Sequence, residues 1–385
     1  MILQLLDKNS NKSAVIASLV DWSSAFDRQD STLAIQKFIK LGVRPSLVPI
    51  LASYMTDRQM QVKYNDTYSD THTLPGGGPQ GTLVGLIEYF VQSNDNADTV
   101  EPDMRFKFVD DLSVLELVML ASLLSEYNFK QHVASDIGID EMYVAPENLT
   151  TQSILNDISS WTQANMMKLN EEKTKYMIFS RSGTEFATRL TVNGQTLDRV
   201  EAVKVVGVWL TTWLDWERNT SEICRKSYAR VTMLTKLKYA GVNTVDLINI
   251  YILYIRSVLE YCSVLWHSTL TVGQCQAIER VQKTCLKIIL GPEYTSYEAA
   301  LEYTGLESLR DRREARCLQF GLKCLVHPIH SRMFPVNPQL NSEHRTRQQE
   351  HFVVNKARTE YYKLSAIPYI QRKLNQYVKA QNGKE

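Results

Sequence analysis

Two adjacent aspartates, Asp110 and Asp111, interrupt a pattern that is otherwise typical of strands. Residues 105–108 (RFKF) alternate basic and aromatic side chains, which is the period of a half-buried strand, and a second apolar run begins at Leu112. Two strands that meet at paired carboxylates indicate a hairpin whose turn presents negative charge. Because adjacent like charges repel each other, this turn requires either a bound cation or exposure to solvent.

A third carboxylate favours the cation. Asp21 ends the apolar run SAVIASLVD (13–21), which predicts a buried strand. An aspartate at the end of such a strand, beside a hairpin that presents Asp110 and Asp111, could hold two divalent ions. Such ions stand about 3.5–4 Å apart and clamp the attacking and leaving oxygens of a phosphoryl transfer. Mg²⁺ suits this arrangement because it needs only one or two carboxylates and takes its other ligands from phosphates and water.

The elements that must position these residues divide the chain into two halves of different character. Up to residue 217, strand-like and helix-like segments alternate with short connections, which predicts an α+β domain. Beyond it, apolar residues recur at helical spacing and strand patterns nearly vanish. The predicted strands are 13–21, 58–64, 175–181 and 203–210, and the predicted helices are 31–41, 45–55, 81–94, 149–166, 219–239, 244–267, 271–290 and 307–326.

This alternation predicts three domains. The first, over residues 1–216, is expected to be the α+β domain, for which the resemblance described below implies an antiparallel sheet with packed helices, and the second, over 217–330, is expected to be entirely helical. Several prolines then introduce a basic tail over 331–385, with a last short helix near 367–378.

The formal charge also differs between the halves. Residues 1–217 hold 18 Lys and Arg against 28 Asp and Glu, a net charge of −10, whereas residues 218–385 hold 25 against 14, a net charge of +11. An acidic half joined to a basic half suggests a metal–carboxylate site beside a polyanion-binding surface. The overall composition, 44% hydrophobic and 22% charged, is that of an ordinary soluble globular protein. No run of about 18 uncharged apolar residues is present, so we expect no membrane span.

Five segments resemble, in their order along the chain, the palm motifs of reverse transcriptases. The resemblance is strongest to the enzymes of non-LTR (LINE-type, jockey-like) retrotransposons. It continues into the helical half, in IYILYIRSVLEYCSVLW (250–266) and AIERVQKTCLKIILG (277–291). The five palm-like segments are DWSSAFD (21–27), GGGPQGTLVG (76–85), FVDD (108–111), KLNEEKTKYMIF (168–179) and VKVVGVWL (203–210).

The resemblance implies roles for the charged residues of these segments. Asp21 and Asp110 would be the main ligands of two Mg²⁺ ions, for which Mn²⁺ can substitute, and Asp111 would be a supporting carboxylate. Lys173 matches the lysine that assists the leaving pyrophosphate, either as a cation or as a general acid.

The resemblance also implies substrate-binding residues. Phe26 falls where reverse transcriptases keep an aromatic gate against the ribose 2′-hydroxyl, which favours dNTPs over NTPs. Pro79, Gln80 and Gly81 resemble the loop that lines the incoming nucleotide and the template. Gly207 lies in the strand turn that resembles the primer grip.

Taken together, the resemblance implies an RNA-directed DNA polymerase with a palm and a helical thumb. Its partners would be an RNA template, a DNA primer and dNTPs, and its basic helical half would hold the duplex backbone. Members of this family act at chromosomal DNA, so we expect an intracellular protein that is nuclear during integration. No Lys/Arg cluster typical of a nuclear signal is present.

The sequence departs from the family pattern at several points. Val109 stands where Ala is usual, and Leu86 stands where Pro is usual. The first palm motif begins at Asp21, so we expect the fingers that normally precede it to be absent and the chain to be an incomplete fragment. One alternative is a catalytically inactive, nucleic-acid-binding remnant of a mobile element. Another, an RNA-dependent RNA polymerase, is disfavoured by Phe26, because those enzymes usually carry Asp at this position.

Overall fold

The structure, a computed structural model, describes residues 1–9, 13–74, 76–119, 142–180, 186–338 and 350–382. Their contacts divide the chain into two compact units. The sheet unit comprises residues 9–201, and the helical unit comprises residues 3–8 together with 202–385. The hairpin that follows residue 201 therefore groups with the helical unit, whereas the domain limits inferred from the sequence, 216 and 330, remain predictions.

The elements are numbered along the chain. The strands are β1 Ser13–Val20, β2 Gln59–Met60, β3 Lys63–Tyr64, β4 Thr67–Tyr68, β5 His72–Thr73, β6 Arg105–Phe108, β7 Asp111–Met119, β8 Met142–Tyr143, β9 Lys175–Ser180, β10 Phe186–Ala187, β11 Thr191–Val192, β12 Gln195–Thr196, β13 Asp198–Arg199, β14 Ala202–Val205 and β15 Val208–Thr211. The α-helices are α1 Ile2–Lys8, α2 Ser31–Lys40, α3 Val48–Met55, α4 Leu83–Ser93, α5 Thr150–Ala164, α6 Glu217–Tyr239, α7 Thr244–Ile250, α8 Ser257–Leu259, α9 Ser263–Trp266, α10 Val272–Leu290, α11 Tyr297–Thr304, α12 Leu309–Leu325, α13 Glu360–Leu364 and α14 Ala366–Asn382.

The sheet unit is built on a five-stranded sheet of order β13–β9–β1–β7–β6. The four longer strands pair antiparallel, and only the short β13 runs parallel to β9. The central strand β1 is almost entirely buried, as its apolar run predicts. One face of β1 and β7 packs with side chains from α4 and α5, among them Tyr89 and Leu155. The sheet therefore holds β1 and the β6–β7 hairpin rigidly side by side.

Two short ribbons, β2–β5 and β3–β4, occupy the region of the predicted strand 58–64. The prediction of one continuous strand is wrong here, because the ladder breaks at Val62. The backbone N–H of Val62 donates to the Ser69 hydroxyl at 2.9 Å instead of to a backbone carbonyl. Every residue of these four strands is exposed, so no core side chains hold a longer strand in register.

The helical unit has a core that α6 and α10 share with the segment between them. Leu234, Leu247, Ile278 and Leu286 are all fully buried there. The start of α10 is fixed by a capping box. The Thr271 hydroxyl accepts from the backbone N–H of Gln274, and the Gln274 side chain accepts from the backbone N–H of Thr271.

The predicted helix 244–267 is wrong in its continuity. The structure resolves it into α7, a π-helical turn over Tyr251–Arg256, α8 and α9. Cys262 adopts a left-handed backbone (φ 51°), which no right-handed helix can contain. No single helix among the described residues is long and apolar enough to cross a membrane, although 244–259 and 263–269, bent by 45°, together reach that length and composition.

The described part of the predicted basic tail is folded. The last helix is confirmed as α14, and its Ile370 and Leu374 pack against Cys317 and Cys324 of α12. The α+β fold class, an antiparallel sheet with packed helices followed by a helical region, is thereby confirmed.

Candidate active site

Three carboxylates lie at one end of the two central strands. The antiparallel pairing of β1 with β7 ends at Val20 opposite Leu112, and one further step in this register places Asp21 opposite Asp111. Phe108 pairs with Asp111 across the β6–β7 hairpin, so Val109 and Asp110 form its two-residue turn. The sheet therefore brings together Asp21, Asp110 and Asp111, which the sequence had suggested only by type and order.

The three charges affect one another. Burial raises the pKa of the Asp21 carboxyl, the charge of Lys173 opposes this rise, and the charge of Asp110 adds to it. Burial likewise raises the pKa of the Asp111 carboxyl, with further contributions from Asp110 and Asp21. Like charges are therefore held together here at an electrostatic cost that a bound cation would remove.

Lys173 is placed beside this site by a short backbone pairing. The backbone N–H of Asp21 donates to the Thr174 hydroxyl at 3.2 Å, and its carbonyl accepts from the N–H of Asn170 at 2.9 Å. The Lys173 backbone N–H in turn donates to the Asn170 side chain at 3.2 Å, which fixes the turn that carries this exposed lysine. The segment 168–174 thus delivers one cation to the carboxylates.

The carboxylates fit Mg²⁺ by their chemistry. Oδ2 of Asp21 is buried and accepts no hydrogen bond from any described residue, so one acceptor of this carboxylate is unused. Within the described ranges, no three His, Cys, Asp or Glu side chains converge closely enough to form a metal site by themselves. Mg²⁺ needs only one or two protein carboxylates, so this arrangement suits a metal whose other ligands come with the substrate.

Phe26 is held by an aromatic stack. Its ring lies 4.8 Å from that of Tyr89, centroid to centroid, with the planes 28° apart. Tyr89 is buried on α4, and its pKa is raised by burial and then by the charges of Asp110 and Asp111. The stack therefore lies close to the carboxylates, and Phe26 itself is partly exposed.

The loop containing Pro79, Gln80 and Gly81 lies against the segment that follows Asp21. The Gln80 amide donates to the Asp27 carboxylate at 2.7 Å. A Cβ on Gly85 would stand 2.3 Å from the Pro79 carbonyl oxygen, so glycine at 85 is what lets the loop lie on the first turn of α4. The structure thus groups these three residues with Phe26 in the sheet unit.

Gly207 belongs to the other unit. With Val206 it forms the turn between β14 and β15, and both residues have positive φ (42° and 84°), as type I′ hairpin turns require. The Tyr261 hydroxyl donates to the Val206 carbonyl at 3.0 Å and secures the turn within the helical unit. The role of Gly207 in a primer grip remains a prediction.

Three residues of this region did not emerge from the sequence. Tyr89 occupies the buried side of α4, but an apolar helix face does not distinguish a stacking partner from ordinary core. Gln29, through its carbonyl, and Arg58, through its guanidinium, bond main-chain groups of the glycine-rich segment before Pro79. Main-chain carbonyls accept bonds from any donor, so no residue pattern marks such contacts.

Comparison with known proteins gives sequence relatives of one kind. The chain is 25% identical over 234 residues to the probable RNA-directed DNA polymerase from transposon BS of Drosophila melanogaster, covering 60% of this chain and 24% of the relative. It is 23% identical over 268 residues to the RNA-directed DNA polymerase from mobile element jockey of the same organism, covering 67% and 26%. The chain thus spans about a quarter of the length of the curated relatives it matches. No family model matches.

Solved telomerase structures align over much of the chain at low similarity. Apo telomerase from Candida tropicalis aligns with a TM-score of 0.37 and 13% identity, over 81% of this chain and 46% of that one. Telomerase from Candida albicans with a fragment of telomeric RNA gives 0.34 and 12%, over 76% and 49%. These scores are too low to define a shared fold. The sequence relatives, in contrast, confirm that the chain resembles the reverse transcriptases of non-LTR, jockey-like retrotransposons.

Proposed function

We propose that this chain carries the polymerase site of an RNA-directed DNA polymerase. The substrates would be a dNTP and a primer 3′-hydroxyl on an RNA template. The observation that carries the proposal is the register that sets Asp21 opposite Asp111 at the hairpin turn of Asp110, with a buried and unused oxygen on Asp21. Such a set of oxygens suits two Mg²⁺ ions in a phosphoryl transfer.

The reaction would be a single displacement at phosphorus. The primer 3′-oxygen attacks the α-phosphorus of the dNTP, its proton passes to solvent, and the bond to the bridging oxygen breaks to release pyrophosphate. Bound Mg²⁺ would supply a Lewis acid on the attacking and leaving oxygens, held by Asp21 and Asp110 with support from Asp111. Lys173 would place its cation where charge develops on the pyrophosphate.

The remaining predicted residues would select and position the substrates. The fixed ring of Phe26 would occupy the space that a ribose 2′-hydroxyl needs. Pro79, Gln80 and Gly81 would line the nucleotide and template, and Gly207 would contact the primer. Residues 218–385 carry a net charge of +11, which suits binding of a duplex backbone without reading its sequence.

The test is primer extension by the full chain on an RNA template with Mg²⁺ and labelled dNTPs. The chain is compared with Asp110→Asn and with Asp103→Asn, a matched control at an exposed aspartate just before β6. We expect extension by the wild type and the control and a loss of at least about a thousandfold in Asp110→Asn, because Asp110 would be one of the two main ligands of the ions. Extension that survives Asp110→Asn would overturn the assignment of the site.

A second measurement separates the polymerase from an inactive nucleic-acid-binding remnant. Fluorescence anisotropy with a labelled RNA–DNA duplex reports binding whether or not synthesis occurs. Binding without any aspartate-dependent extension would contradict the proposed activity and favour the remnant. A preference for NTPs over dNTPs in the same assay would instead point to an RNA-dependent RNA polymerase.

A further inference from the structure

We propose that Arg58 is a positioning residue that fixes the glycine loop, Gly76–Gly78, and thereby sets the position of Pro79, Gln80 and Gly81. This inference rests on the proposed function, since it assigns to those three residues a place against the incoming nucleotide and the template. Arg58 would not touch the substrate and would act only through the loop.

The guanidinium of Arg58 joins two parts of the sheet unit. Its Nη2 donates to the carbonyl of Gly76 at 3.2 Å and also to the carbonyl of Gly77. Its Nε donates to the carbonyl of Met55, the last residue of α3, at 3.3 Å. One planar side chain therefore ties the glycine loop to the end of a helix.

The opposite side of the glycine loop is held by the segment that carries Phe26. The N–H of Gly77 donates to the Gln29 carbonyl and that of Gly78 to the Phe26 carbonyl, each at 2.8 Å. A Cβ on Gly78 would stand 1.7 Å from Oε1 of Gln29, whose side chain is only 1% exposed. The loop thus lies between Arg58 and the backbone of the residue predicted to act as the sugar gate.

A buried carboxylate lies within electrostatic range of Arg58. Glu88 of α4 is fully buried, and its Oε1 accepts from the Ser31 hydroxyl at 3.3 Å. Burial raises the pKa of Glu88 to about 6, Ser31 and Arg58 oppose the rise, and Asp30 adds to it. The charge of Arg58 therefore favours the ionised form of Glu88.

The geometry requires arginine rather than any cation. A guanidinium presents several N–H donors in a fixed plane and can address Met55 and both loop carbonyls together. A lysine ammonium is a single point on a flexible stem and cannot hold the same three acceptors in one arrangement. Arg58→Lys keeps the positive charge and removes the planar set of N–H donors, so it isolates the positioning effect.

The experiment measures the loop directly and independently of activity. Amide hydrogen exchange at Gly77 and Gly78 is compared among wild type, Arg58→Lys, Arg58→Ala and Arg44→Ala. Arg44 is a matched control because it is an exposed arginine of the same unit, and its side chain does not cap the short helical turn Pro45–Leu47 that follows it. Exchange at β1 amides gives the internal reference for global unfolding. If Arg58→Ala weakens the protection of β1, the effect on the loop is read from Arg58→Lys alone.

We expect exchange at Gly77 and Gly78 to accelerate about tenfold or more in both Arg58 variants, with β1 and the Arg44→Ala control unchanged. In primer extension, the KM for dNTP should rise more than kcat falls, since a displaced loop weakens nucleotide binding. Unchanged exchange at both glycines in Arg58→Lys would overturn the proposal. If the wild type extends no primer, the proposed function fails, and the exchange measurement still decides whether Arg58 holds the loop.

Discussion

The ring of Phe26 lies against the ring of Tyr89, with the centroids 4.8 Å apart. Tyr89 is 2% exposed, so it cannot yield without disturbing the core of the sheet unit. The stack therefore fixes the position of the Phe26 ring, close to the carboxylates whose charges reach Tyr89. A sugar gate needs this rigidity, because a ring that could swing away would exclude nothing.

Phe26→Val should relax the choice of sugar. Removing the ring opens the space for a 2′-hydroxyl, so the ratio of kcat/KM for dNTP over NTP should fall about tenfold to a hundredfold. The measurement is steady-state incorporation of a single nucleotide opposite an RNA template. Tyr89→Phe is the control, since it keeps the stacked ring, and its ratio should match the wild type. An unchanged ratio in Phe26→Val would remove Phe26 from the gate.

Without metal, Asp111→Asn should stabilise the protein at neutral pH. The folded-state pKa of Asp111 is raised, so ionising this carboxylate costs stability at all pH values above its folded pKa, and the cost disappears as the pH falls below its ordinary value. The thermal midpoint of the variant should therefore exceed that of the wild type at pH 7 in EDTA and converge with it near pH 3.

Added Mg²⁺ should reverse this order. A bound cation relieves the repulsion among the three carboxylates, so Mg²⁺ should raise the midpoint of the wild type more than that of Asp111→Asn. Scanning calorimetry of the wild type and Asp111→Asn, first in EDTA and then with increasing Mg²⁺, measures these midpoints. A midpoint that Mg²⁺ leaves unchanged in both proteins would contradict a metal site at these residues.

Val109→Ala should be nearly neutral or stabilising. Val109 has φ 55° in the hairpin turn, where a β-branched residue is strained by about 1–3 kcal/mol. Val114→Ala makes the same chemical change at a strand position of the same hairpin that is 2% exposed, and it should cost about 2 kcal/mol. Urea unfolding of both variants tests the difference, and equal losses would show that the turn is not strained.

Asp7→Ala should destabilise the helical unit by about 2–4 kcal/mol, because it leaves buried hydrogen-bond donors without an acceptor. The Asp7 carboxylate accepts from the N–H groups of Arg358 and Thr359, each at 2.8 Å, and from the Thr359 hydroxyl at 2.5 Å. Asp7 is 3% exposed, whereas its neighbour Lys8 is exposed, so Lys8→Ala is the control and should change little. Chemical unfolding followed by circular dichroism measures both, and an unaffected Asp7→Ala would show that these bonds contribute nothing net.

The sequence predicted those elements that local pattern determines. The apolar run before Asp21 became β1, the segment after Gly81 became α4, and the paired aspartates became the end of a hairpin. Each of these predictions depends on a hydrophobic period or on a helix cap. The cap of α4 is the Thr82 hydroxyl, which accepts from the Gly85 N–H.

What the sequence did not predict is determined by contacts between distant residues or by backbone strain. The predicted helix 244–267 breaks at Cys262, where no glycine or proline indicates a helix end. The bonds of Arg58 and Asp7 are made to backbone groups, which every residue possesses. That Asp21 lies opposite Asp111 depends on strand register, and register emerges only when the sheet forms.

The contact of Asp7 with Thr359 also constrains the order of events during synthesis. Helix α1 is synthesised before the groups that satisfy its buried carboxylate, which follow some 350 residues later. The whole sheet unit, residues 9–201, is translated in between and forms an insertion within the sequence of its neighbour. The nascent sheet unit can therefore fold while the chain is still growing, whereas the helical unit can close only after its final segment has emerged.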